Sequence, residues 1–176
     1  MNKIITYGSQ YGSARRYAEK LSEATKIPLL NALDVRDLSS FDHIIHLGGI
    51  YAGHVKGLRK IVKHTPKGAR LIVITVGLAD VNNEANTNKI KKDVENQIPE
   101  DLWKRTQVFH LRGGIDYSRL NIVHKAMMAL LYKKIKAMPE EKKTAEIQAM
   151  IDTYNQKVDF TDFQALDSIA QFILQL

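Results

Sequence analysis

The stretch Ile4-Ile5-Thr6-Tyr7-Gly8-Ser9-Gln10-Tyr11-Gly12-Ser13-Ala14-Arg15-Arg16-Tyr17-Ala18 decides the reading of this chain. It passes from a buried-strand pattern, through a turn rich in glycine and hydroxyls, directly into a helical pattern. Such a corner aims backbone N–H groups and short hydroxyls at one spot, at the positive end of a helix dipole. An anion, above all a phosphate, is stabilised there. No Gly-Lys-Ser/Thr follows, and the Gly-x-Gly-x-x-Gly spacing is absent, which excludes two familiar nucleotide loops. Glycine and serine also cap helices in ordinary strand-to-helix turns, so on this segment alone phosphate binding and plain capping are both open.

Working outward, apolar runs recur at residues 3–7, 28–32, 43–47, 70–76 and 107–111. The last three are almost continuously apolar and β-branched, as strands covered on both faces must be. Helical spacing appears at 13–25, where Tyr17, Leu21 and Ala24 share a face, at 55–64, where Leu58, Ile61 and Val62 do, and at 87–97. Residues 34–38 read as a short capped turn. A last helix is expected at 162–174, entered through Thr161-Asp162-Phe163-Gln164 with capping-box spacing. Strand and helix alternate, so the expected fold is α/β, a doubly wound five-stranded parallel sheet. Ligands of such sheets bind beyond the carboxyl ends of the strands, where the order reverses.

The 176 residues, 44% of them apolar, are most simply one domain over 1–176 with a real core. No apolar run reaches the roughly 20 residues that span a bilayer. Met1-Asn2-Lys3 leads straight into a strand without a signal pattern, and a cytoplasmic location is expected. With no cysteine there is no thiolate chemistry and no disulfide. Twenty-six basic residues against 19 acidic give +7 and point to an anionic partner. The six histidines show no ligand spacing, so no metal is expected.

Residues 112–160 are too long for a connection in an α/β unit, which usually takes about 2–6 residues. They read as a basic helical insertion between the fifth strand and the last helix. Its first half, 117–138, contains Ile122-Val123-His124-Lys125-Ala126-Met127-Met128-Ala129-Leu130-Leu131-Tyr132. Its second half starts at Pro139 and places Ile147, Met150, Ile151, Tyr154 and Val158 on one helical face. Between Arg112 and Lys143 eight basic residues face three acids. Two roles are open for 117–143: an interfacial element on an anionic membrane, or an amphipathic helix packed on the sheet with solvated lysines.

Two further loops follow the third and fourth strands. Gly48-Gly49-Ile50-Tyr51-Ala52-Gly53-His54 offers close backbone approach and a ring for stacking, and Gly77-Leu78-Ala79-Asp80-Val81-Asn82-Asn83 lies at the same edge. One phosphate-type turn and two glycine-bearing apolar loops suit a mononucleotide with a flat aromatic head. On these residues the chain resembles the flavodoxin superfamily, whose strand order is 2-1-3-4-5 and whose cofactor is FMN. The resemblance implies a phosphate site at Ser9, Gln10, Tyr11, Gly12, Ser13 and Ala14. It implies ring contacts from Gly49, Ile50 and Tyr51 and from Gly77, Leu78 and Ala79. Ala14 stands where the family usually has a threonine, and the third loop lacks the aromatic residue often set against the ring.

Within the superfamily the chain is similar to the bacterial, flavodoxin-like, quinone-dependent protoporphyrinogen dehydrogenases. The shared features are the Gly49–His54 ending of the second loop, the late insertion, and Val158-Asp159-Phe160-Thr161-Asp162-Phe163. This resemblance implies an FMN-dependent oxidoreductase acting on protoporphyrinogen IX, with a membrane quinone as acceptor and peripheral membrane contact. A basic protein also favours the anionic reduced flavin, by Coulombic attraction. The alternative is a flavodoxin-type electron carrier without a substrate of its own. His54 is the candidate catalytic residue, as a group titrating near neutrality; an ordinary surface role is the other reading. No nucleic-acid motif is visible.

Overall fold

The computed structural model describes residues 1–51 and 53–176; Ala52 of the second loop lies outside the described residues. The chain order is β1 (Lys3–Gly8), α1 (Ser13–Thr25), β2 (Leu29–Asn31), β3 (His43–Tyr51), β4 (His54–Val55), α2 (Leu58–His64), β5 (Arg70–Gly77), α3 (Glu84–Glu95), α4 (Glu100–Trp103) and β6 (Thr106–Arg112). There follow β7 (Gly114–Asp116), α5 (Ile122–Lys136), α6 (Ala145–Asp152), β8 (Lys157–Asp159) and α7 (Leu166–Gln175). The five parallel strands lie in the order β2-β1-β3-β5-β6, which is the expected 2-1-3-4-5 once the short β4 is set aside.

The sheet is built on parity. Successive strand residues point to opposite faces, so Ile4, Ile44, Leu71 and Val73 meet Leu58, Ile61, Ile90 and Val94 of α2 and α3 on one side. Ile5, Ile45, Leu47, Ile72 and Ile74 meet Tyr17, Leu21, Ile169 and Ile173 of α1 and α7 on the other. Burying each such side chain fully contributes about 1.5–3 kcal/mol. The register then sets the site: Gly8 pairs with Gly48, Gly49 with Val76, and Gly77 with Arg112. The turns after β1 and β5 and the hairpin at the end of β3 therefore leave the sheet at one level.

Four expectations are corrected. Strand β3 runs on to Tyr51 and folds back on β4, with Ile50 opposite Val55 and Tyr51 opposite His54, where a loop was expected from residue 48. Glycine permits this, because a Cβ on Gly48 would lie 2.2 Å from the Val55 Cγ1. Helix α2 consequently begins at Leu58 rather than at residue 55, behind Gly57 at φ 85°. Helix α6 ends at Asp152, and Val158 sits on β8 opposite Ile115 instead of on a helical face with Met150. Helix α7 begins at Leu166 without a side-chain cap. The capping box at Thr161 does not form, because the Asp162 N–H donates to the Tyr17 hydroxyl and the Thr161 N–H to Asp159.

The insertion folds as a cap over the carboxyl edge. Strands β7 and β8 pair antiparallel from Gly114–Asp159 to Asp116–Lys157. Between them α5 starts on the Asn121 cap and α6 on the Thr144 cap. Ile115, Tyr117, Met128, Ile135 and Met150 form a third apolar cluster with Leu78 of the sheet edge. Among the described residues no helix is long and apolar enough to cross a membrane.

Candidate functional site

At the end of β1 the backbone of residue 8 runs against the β4–α2 corner so closely that a Cβ on Gly8 would lie 2.0 Å from the Lys56 carbonyl oxygen. The turn then closes on itself, the Gly12 N–H donating to Ser9 Oγ at 3.1 Å. Gly12 adopts φ 98° as the N-cap of α1, a conformation costly for any residue with a Cβ. The space before it is open, and neither a capping side chain nor a first-turn acid occupies the helix start. The first-turn N–H groups of a helix have no acceptor within it. Those of α1 lie at a cavity of about 600 Å3 lined by Gln10, Arg16, Arg119, His124 and Lys157 and also by Asp116 and Asp159, which pair with Lys157 and Arg16. Donors, dipole and space fit a phosphate.

Gln10 ties three parts of the molecule together. Its Oε1 accepts from Lys56 Nζ of the β4–α2 corner, and its Nε2 lies 2.9 Å from His124 Nε2 of α5. Ser13 is turned otherwise than a phosphate ligand would be. Its Oγ accepts from the Gly114 N–H at 2.9 Å and donates to the Gly114 carbonyl at 3.2 Å, binding the turn to β7. Ala14 is buried beside it and contributes no hydroxyl.

Ser9, Gln10, Tyr11, Ser13 and Ala14, with Gly49, Ile50, Tyr51, Gly77 and Leu78, line one inner cavity. The structure thus brings the three sequence-predicted segments together; Gly12 faces the outer polar cavity and Ala79 an apolar one beside α3. The Tyr11 and Tyr51 rings stand 6.5 Å apart at 56°, and the Tyr11 hydroxyl donates to Met128 Sδ at 3.0 Å. Burial raises the Tyr11 phenol far above its ordinary range. His54 lies on β4, exposed and outside the linings of these cavities.

Sequence reasoning missed the insertion's part in this place. Met128 of α5, Met150 and Glu146 of α6, and Gly113, Gly114 and Ile115 all line the inner cavity, which is reduced to about 50 Å3. Glu146 accepts from the Leu78 N–H at 2.8 and 2.9 Å and from the Ala79 N–H at 2.8 Å. Burial raises its pKa, opposed by these two amides and by Arg112. Arg112 donates to the Leu78 carbonyl through Nε at 3.2 Å and Nη2 at 2.9 Å, and its guanidinium lies 3.9 Å from the Phe160 ring centroid. In the apolar cluster under the cap the Tyr117 hydroxyl is buried without a partner, its pKa pushed up to about 12 by burial and by Tyr154 and Tyr51. The available signal for Glu146 was its place four residues before Met150, on the otherwise apolar face of α6. Among the described residues no group of acids and histidines is placed to hold a metal.

Comparison with known proteins bears on this edge of the sheet. A family model described as a flavodoxin domain matches residues 4–143. No curated protein sequence matches the chain. Among solved structures, a candidate flavoprotein of Bacteroides uniformis is 12% identical with a TM-score of 0.50, covering 66% of this chain and 93% of that one. A candidate flavoprotein of Bacteroides eggerthii is 16% identical with a TM-score of 0.46, covering 78% and 99%. A point mutant of a flavodoxin from Pseudomonas aeruginosa is 17% identical with a TM-score of 0.41, covering 76% and 96%. At such identities the likeness to the first concerns the fold.

Proposed function

The chain belongs to the flavodoxin domain family, and we propose on that footing that it is an FMN-dependent oxidoreductase oxidising a small apolar substrate. Its sharpest form is oxidation of protoporphyrinogen IX with a membrane quinone as acceptor. FMN is the cofactor, and when bound it supplies the electron-accepting ring. The protein binds, orients and shields it. The observation that carries this reading is the convergence of a helix start with no capping side chain and no first-turn acid with Gly49–Tyr51 and Gly77–Leu78 at one edge of the sheet.

Gln10, Gly12 and the first-turn amides of α1 hold the phosphate; Ser9 and Ser13 shape the turn around it. Tyr11, Ile50, Tyr51 and Leu78 border the ring. The cap supports an encounter with lipid. Ile122, Val123 and Leu130 of α5 are 86, 74 and 72% exposed, beside the exposed Lys125, Lys133 and Lys134. An apolar stripe edged by lysines suits an anionic bilayer, each lysine near such a surface contributing about 1 kcal/mol. The same stripe suits docking of a redox protein, and on that reading the chain is an electron carrier.

Titration with FMN, followed by quenching of flavin fluorescence, tests the cofactor. Anaerobic mixing of the loaded protein with protoporphyrinogen then separates the two activities: an oxidase bleaches the flavin absorbance, and a quinone in anionic vesicles restores it. Flavin that stays oxidised excludes this substrate and favours the carrier.

A further inference from the structure

We propose that Glu146 is a latch on the ring site: its carboxylate holds the Leu78 and Ala79 amides, and a flat ring ligand enters only when it lets go. The proposal rests on the flavin reading above and concerns what this chain does before the cofactor arrives.

The carboxylate behaves as an occupant of the site. Three contacts of 2.8–2.9 Å take the amides of both Leu78 and Ala79. It lies so flat on Gly77 that a Cβ there would come 2.6 Å from Oε2. The room left over, about 50 Å3, is a small fraction of what a ring ligand fills, since pockets for such ligands begin near 300 Å3. Next to it, between α3 and the α5–α6 pair, lies a second and largely apolar cavity of about 360 Å3. Ile50, Glu146 and Met150 line both, so one turn of α6 is the partition between them. When Glu146 swings out, the amides are free for an acceptor on the ring and the two spaces join.

The exchange is chemically reasonable in direction. A buried carboxylate loses more solvation than a neutral carbonyl does, and two amides with one nearby arginine offset that loss in part. A neutral carbonyl at the same amides carries a smaller desolvation cost, and the carboxylate returns to water. Because Glu146 lines both spaces, its release for the cofactor also joins the apolar cavity to the ring site. That cavity, walled by Ile90, Val94, Leu131, Ile135 and Ile147, then accepts a flat apolar substrate beside the ring.

The experiment compares FMN dissociation constants of the wild type, Glu146→Gln and Glu146→Ala by flavin fluorescence, each protein checked for folding by its thermal melt. Removing a competing charged acceptor should tighten FMN binding about tenfold or more in Glu146→Ala, with Glu146→Gln between. Tryptic cleavage within 133–143 should quicken when FMN is added to the wild type, and be fast without FMN in the variants. Equal or weaker FMN binding by a folded variant overturns the latch while leaving the flavin reading intact. FMN binding by neither wild type nor variants overturns both. If Glu146→Ala does not fold, Glu146→Gln decides by the same two measurements.

Discussion

Acidification should weaken this protein through His46, by an amount the structure allows to be worked out. The imidazole is fully buried under the β4–α2 corner. Its Nε2 is 2.9 Å from the Lys56 carbonyl and must donate; its Nδ1, 3.0 Å from Thr6 Oγ1, accepts. Desolvation favours the neutral ring and lowers its pKa from 6.5 to about 4. Between those values the unfolded chain holds a proton that the folded chain refuses, so stability is complete above about pH 6.5 and declines as pH falls toward 4. At about 1.4 kcal/mol per pKa unit, moving from pH 7 to 4.5 removes about 2.5 kcal/mol, a large part of an ordinary domain's 5–15 kcal/mol. Replacing the group with one that does not titrate isolates the effect. Urea unfolding at pH 7, 6, 5 and 4.5 should give a curve for His46→Gln that is flatter than the wild type by about that much. Parallel curves for the two proteins would refute the argument. His110, also lowered to about 4 by burial and by Lys91, titrates in the same window in both proteins and cancels from the comparison.

Two substitutions test the joints between sheet and cap. Tyr17→Phe removes a hydroxyl that donates to the Arg112 carbonyl and accepts from the Asp162 N–H, both at 2.8 Å; a loss of about 1–3 kcal/mol is expected in thermal denaturation, and an unchanged melt would mean that these groups find other partners. Gly114→Ala would set a Cβ 2.3 Å from the Val158 carbonyl oxygen, which is backbone and cannot swing aside. It should cost about 1–3 kcal/mol and speed amide exchange in β7 and β8 but not in β1 and β3, whereas uniform exchange would contradict it.

The central sheet was legible because its strands are covered on both faces and so carry unbroken apolar runs. Helix α1 was legible to the residue, since Tyr17, Leu21 and the hydroxyl-rich turn mark its face and its start. What escaped depended on partners far along the chain. Gly48-Gly49 reads as a loop by itself and is strand because it pairs with Gly8, Thr75 and Val76, with Val55 packed where a Cβ on Gly48 would be. Strands β7 and β8, three residues each, are too short to show a period. Thr161 and Gln164 have capping-box spacing, yet Tyr17, nearly 150 positions earlier in the sequence, claims the neighbouring amide first. At the candidate site, the three segments from the sheet were readable because each follows a strand. Glu146 reaches its amides across 67 and 68 positions, a pairing no local pattern encodes. Ser13, expected to face an anion, is engaged by Gly114 from the cap.

The antiparallel pairing of Gly114–Asp116 with Lys157–Asp159 means that the forty residues between them leave and re-enter the molecule at one doorway. Shortening that detour to a tight two-residue reverse turn between Asp116 and Lys157 is sterically natural, since those residues already face each other across the ribbon. The main sheet never threads through the detour, so its own hydrogen-bond ladder has no stake in what the detour contains. A cover attached in this manner is free to change length, charge and greasiness from one relative to another without asking the scaffold to refold.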